Sequence, residues 1–89
     1  MNTIWKFKFN TTDNLVIKMP KGSKVLSVQI QGKQPCMWAL VDPDAKKENR
    51  KFRIFGTGHL VPSIVEDLQF IATYQEQGGA LVWHLFAVA

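Results

Sequence analysis

From Ile4 to Phe9 apolar and basic residues alternate, with Trp5, Phe7 and Phe9 on one side and Lys6 and Lys8 on the other. A period of two marks a strand with one face in the core and one in water. The chain therefore opens on a half-buried strand with a basic outer face. A turn cluster, Asn10-Thr-Thr-Asp-Asn14, follows. Leu15, Ile17 and Met19 then alternate with Val16 and Lys18, which predicts a second strand in a hairpin with the first. Pro20-Lys21-Gly22 stops it. Lys24 to Gln31 predicts a third strand, with Leu26, Val28 and Ile30 facing in and Ser27, Gln29 and Gln31 facing out. Gly32-Lys33 is a tight-turn signal.

Cys36 to Val41 does not alternate, since both sets, Cys36-Trp38-Leu40 and Met37-Ala39-Val41, are apolar. A short apolar run fenced by Pro35 and Pro43 fits an interior strand, covered on both faces, better than a helix. Asp42-Pro43-Asp44 supplies an Asx acceptor and a preset proline, so a turn is expected there. Lys51 to Phe55 returns as a strand, with Phe52 and Ile54 opposite Lys51 and Arg53; with Cys36–Val41 it would form a hairpin around a long charged loop.

Beyond Gly56-Thr57-Gly58-His59, Ser63 and Glu66 have capping-box spacing, so Ser63 to Leu68 is expected to make one helical turn. Gln69 to Gln75 resumes a strand, with Phe70, Ala72 and Tyr74 on one side. Glu76-Gln-Gly-Gly79 is a hairpin turn, and Ala80 to Val88 is apolar on both faces, a second interior strand. Seven short strands with turn signals between most of them predict an all-β domain over residues 1–89. The expected form is a small antiparallel β-sandwich or jelly-roll-like barrel.

All 11 Lys and Arg lie in residues 1–53, with four acids; residues 54–89 carry Glu66, Asp67 and Glu76 and no Lys or Arg. This asymmetry favours an anionic partner, against the plainer reading of solubilising lysines on strand faces. The sequence has no apolar run long enough for a membrane span and no signal-peptide pattern at its start, and its single cysteine suits a reducing compartment. The expectation is a protein without membrane contact.

Gly56-Thr57-Gly58-His59 follows a strand, where backbone N–H groups can cup an anion. The dinucleotide fingerprint and the P-loop both fail, because Leu60, Val61 and Pro62 come next. The alternative is a glycine turn that ends a strand. The expected ligand-binding set is Gly56, Thr57, Gly58, His59, Arg53, Arg50, Lys47 and Trp38, with the cations on phosphate and an aromatic on a base. His59 and His84 are too few for a zinc site, and Cys36 would join them only by coincidence of fold. His84, among apolar residues, reads as a satisfied core histidine, and Cys36 as a small buried hydrophobe. A Cys36–His59–Asp42 nucleophilic site or a two-histidine hydrolase can be written down, but no spacing requires either. No cofactor, metal or catalytic residue is expected.

Four segments resemble a group of small bacteriophage- and prophage-encoded proteins of unassigned function: Pro20-Lys-Gly-Ser-Lys-Val-Leu-Ser-Val-Gln29, Pro35-Cys-Met-Trp-Ala-Leu-Val-Asp-Pro43, Arg53-Ile-Phe-Gly-Thr-Gly-His59 and Gly78-Gly-Ala-Leu-Val-Trp-His84. The resemblance implies a non-enzymatic binding protein in the host cytoplasm. By analogy this would be a homo-oligomer that sequesters an anionic nucleotide-type signal of host defence. The alternative is a protein-interaction module that inhibits a host protein or serves as a minor phage structural or assembly component.

Overall fold

The computed structural model describes residues 1–62 and 67–89. They form seven strands, β1 (Thr3–Lys8), β2 (Asn14–Pro20), β3 (Lys24–Gln31), β4 (Gln34–Val41), β5 (Lys47–Gly56), β6 (Leu68–Glu76) and β7 (Leu81–Val88), with one 3-10 turn at Gln77–Gly79. Two sheets result, in the orders β1-β4-β3 and β2-β5-β7-β6, and every pairing is antiparallel. A single core lies between them. Phe9, Val28 and Met37 come from the first sheet's side, and Leu15, Ile17, Met19, Phe52, Ile54, Tyr74, Leu85 and Ala87 from the second's. The thickness of 15 Å leaves room for two layers about 10 Å apart and no third. The fold is thus the all-β sandwich that the alternation predicts.

The two unbroken apolar runs become β4 and β7, each with a strand on both sides, but neither is covered on both faces: in a two-layer fold Trp38 and Leu40 of β4, and His84 and Phe86 of β7, lie half-buried on the outer faces. Cys36, Met37 and Ala39 are fully buried. The Gly32-Lys33 turn closes the β3–β4 hairpin with Gly32 at φ +67° in its first central position, where a side chain would be strained. The β6–β7 hairpin also forms as the sequence predicts.

Two expected hairpins do not form. β1 pairs with β4, and β2 with β5. Residues 9–13 instead carry the chain from one sheet to the other. Phe9 turns into the core, edge-on to Tyr74 at 5.7 Å, while its amide bonds the Pro35 carbonyl. The Asp42 turn forms, with the Asp44 amide on Asp42 Oδ1 at 3.1 Å, but it too crosses between sheets. The charged loop expected before Lys51 is mostly strand, because β2 pairs along its whole length up to Pro20↔Lys47.

Two bulges shift the alternation. One between Val25 and Ser27 leaves Leu26 47% exposed and places Val25 against the core instead. The other, between Phe70 and Ala72, turns Phe70 out and leaves Ile71 and Ala72 packed on the core. The helical turn expected from Ser63 falls on residues 63–66, outside the described residues, and its expected last residue, Leu68, opens β6.

Candidate functional site

The Gly56–His59 segment is a tight turn that closes on itself. The His59 amide donates to the Gly56 carbonyl at 3.0 Å, and the Gly56 amide donates to His59 Nδ1 at 3.1 Å. The Thr57 amide donates to the Val82 carbonyl on β7. Three of the four amides of this segment are therefore used inside the protein. Gly58, at φ +87°, supplies the left-handed residue that the turn needs. The bond to Nδ1 places the His59 ring proton on Nε2. The ring stands edge-on to Trp83 at 6.3 Å.

The residues expected to share a ligand are dispersed. Arg53 alone reaches the turn, where it lines a concavity of about 280 Å³ with His59, Asp13, Asn14 and Leu60. Its guanidinium lies 5.0 Å from the Phe55 ring, and its buried Nε has no partner among the described residues. Arg50, three residues earlier, is on the opposite face of β5. It donates to the Ser23 carbonyl at 2.9 Å and lies over Phe52. Lys47 sits over the Trp5 ring at 5.9 Å. Trp38 belongs to the other sheet, paired with Lys6 on one side and Ser27 on the other. Sequence reasoning joined these residues by their neighbourhood in the chain. Strand alternation and the sheet-to-sheet crossings separate them.

The groups weighed for catalysis are held in structural contacts. His84 bonds Thr57 Oγ1 through Nε2 at 2.8 Å and Thr73 Oγ1 through Nδ1 at 2.9 Å. It is satisfied, as the sequence suggests, but its pairing with Phe55 places it on the outer face of the four-stranded sheet rather than in the core. Cys36 is buried, its thiol toward the Gln34 carbonyl. Among the described residues no group of three or more His, Cys, Asp or Glu could hold a metal ion, and no helix is long and apolar enough to cross a membrane.

Sequence reasoning missed a different arrangement on the outer face of the three-stranded sheet. Register places three rungs there: Ile4–Leu40–Lys24, Lys6–Trp38–Ser27 and Lys8–Cys36–Gln29. Lys6, Lys8 and Lys24 are exposed and Trp38 is half-buried between its neighbours. Lys6 Nζ donates to Gln31 Oε1 at 2.7 Å, which spans β4 from one edge strand to the other. β1, β3 and β4 contain no Asp or Glu. The alternation of Lys6 and Lys8 was visible in the sequence. That they flank Trp38 depends on the long-range β1–β4 pairing.

Comparison with known proteins adds a family of unknown function. No curated protein and no solved structure matches the chain. One family profile, described as Domain of unknown function (DUF7352), matches residues 1–89, and the chain belongs to that family.

Proposed function

We propose that this domain is a non-enzymatic binding protein for an anionic, nucleotide-type partner. One observation carries the reading: a sheet whose three strands contain no acid presents Lys6, Lys8 and Lys24 around the half-buried Trp38. Cations without acidic neighbours raise the local concentration of anions, and an aromatic among them can stack on a base. That His59 Nδ1 and both ring nitrogens of His84 are engaged in the fold supports binding without chemistry. The resemblance to small phage proteins supports placing this binding in a host cytoplasm, as sequestration of a defence signal.

Isothermal titration of the chain at about 100 µM, against cyclic dinucleotides, ADP-ribose and short oligonucleotides, tests the reading. Heat with at least one of them is expected, with its loss in the triple variant Lys6→Gln, Lys8→Gln, Lys24→Gln. Absence of heat with all of them overturns it.

A second reading, a protein-interaction module or self-association, is favoured by the other sheet. Its surface leaves Val16 and Phe70 each 55% exposed, with Phe70 stacked edge-on against Phe86. Light scattering on Phe70→Ser and Val16→Ser variants tests it: an oligomer that survives both changes is not held by this face.

A further inference from the structure

We infer that the outer face of the three-stranded sheet binds single-stranded nucleic acid, with Trp38 stacked on an unpaired base and Lys6, Lys8 and Lys24 on phosphates. This rests on the anion-binding reading above and commits it to one face and one partner.

The geometry favours an extended strand over a small nucleotide. Leu40 and Trp38, half-buried, form the accessible centre of this face along β4, and Cys36, in line with them in the same column, is covered by its neighbours. Lys6 and Lys8 flank the column on β1, about 7 Å apart as next-but-one residues of a strand, and Lys24 flanks it on β3, about 10 Å across the sheet. The result is a track with cations on both sides and an aromatic in the middle, the combination that holds a single strand by its backbone and its base faces. The concavities of about 160 to 480 Å³ among the described residues are lined by other residues, and none of these five lies on this face. Ser27, Gln29 and Gln31 place neutral donors and acceptors beside the column, and two of the three Lys6 ammonium hydrogens remain after its bond to Gln31.

The ends of the track differ. Asp42 and Asp44 follow β4 directly, beyond the Ile4–Leu40–Lys24 rung. Lys33, in the turn between β3 and β4, lies past the opposite end. Phosphates are therefore drawn toward the Lys8 end. A duplex would offer phosphates to the lysines, but its bases are already stacked on one another and leave Trp38 nothing to cover.

The test is fluorescence anisotropy of labelled dT12 and of its duplex with dA12, with the whole chain, between about 50 and 200 mM KCl. The expected result is tighter binding of dT12 than of the duplex. Three phosphate contacts predict a slope of log K against log salt near −2, at about −0.7 per contact on a single strand. The Lys6→Gln, Lys8→Gln, Lys24→Gln triple variant should flatten that slope. Trp38→Ala should weaken binding about tenfold and leave the slope unchanged, with Trp38→Phe recovering most of the loss. Because Trp38→Ala could also loosen the fold, quenching of tryptophan emission by dT12, reduced in Trp38→Phe, provides a second readout. Equal affinity for duplex and single strand with a neutral Trp38→Ala overturns the inference. So does binding that survives the triple variant but is lost in Arg53→Gln. If small nucleotides bind by titration and dT12 does not, the inference fails and the anion-binding reading stands; if nothing binds, both fail.

Discussion

His59 occupies the space that a side chain on Gly56 would need. A Cβ built on Gly56 would stand 2.8 Å from His59 Cε1 and 3.0 Å from Nδ1, the atom that accepts the Gly56 amide hydrogen. Gly56 is therefore a glycine because of its partner and not because of its backbone angle. Gly56→Ala should displace the imidazole and destabilise the fold by about 1 kcal/mol, the scale of one hydrogen bond. His59→Ala removes the same bond. The double variant should cost less than the two single losses together, since the added methyl group then no longer meets the imidazole. Chemical denaturation of the four proteins measures the coupling, and strict additivity would disprove the contact.

Tyr74, the only tyrosine, begins a hydrogen-bond relay. Thr11 gives its one hydroxyl hydrogen to Glu76 Oε1 at 2.8 Å, so the bond of 2.7 Å between Thr11 and Tyr74 must use the phenol hydrogen. Burial pushes the Tyr74 phenol above its ordinary value, against an opposing effect of the Thr11 hydroxyl, and the Glu76 charge adds to the rise. The folded chain thus keeps this proton after the unfolded chain has lost it. The stability contributed is complete below the ordinary tyrosine pKa of about 10 and is lost as pH rises from there through the folded value. Tyr74→Phe should cost about 1 kcal/mol near neutral pH and remove that part of the alkaline decline. Phenolate absorbance at high pH follows Tyr74 directly, and a midpoint at the free-tyrosine value would contradict the assignment.

Arg50 is structural. Its guanidinium ties β5 to the Ser23 carbonyl ahead of β3, and Ser23 in turn bonds the Pro20 carbonyl through Oγ at 2.6 Å. Arg50→Ala should destabilise by about 1.5 to 3 kcal/mol, the range for a hydrogen bond from a charged donor. Arg50→Met, which keeps the stem over Phe52, should recover part of this. Neither change should alter the salt slope of oligonucleotide binding. A flattened slope would move Arg50 back into the ligand set.

The β3 bulge reverses the usual ranking of two apolar residues. Leu26 is outside and Val28 is buried. Leu26→Ser should shift stability by no more than about 0.5 kcal/mol, and Val28→Ala should cost about 2 kcal/mol. Thermal unfolding of the two variants separates them, and a larger loss at Leu26 would place the bulge elsewhere.

The strands were legible because each turns one face to the core, and that choice is written in every second residue. β4 and β7 announced their central positions by lacking polar residues on either side. Partnership was not legible. Local hairpins at residues 10–14 and 42–46 satisfy the turn chemistry of Asn14 or Asp42 as well as the sheet crossings do, and only the shared core decides between them. Bulges hide for a related reason: Val25, Leu26, Ile71 and Ala72 are all apolar, so a one-residue slip leaves no mark in the pattern. The expected site residues are dispersed for the same reason. Arg50 and Arg53 are three apart in a strand and so face opposite ways, while Lys6 and Trp38 meet only after 31 intervening residues have folded between them.

Of the five strand pairings, only β3–β4 and β6–β7 join neighbours in sequence. Thr3 must find Val41 and Asn14 must find Arg53 before either sheet is complete. The entropy of closing those loops comes before the contacts that reward it. The domain should therefore fold on a scale of milliseconds to seconds, slowly for so small a chain. Its two hairpins would be the earliest ordered pieces, with β5 the last to be clasped from both sides.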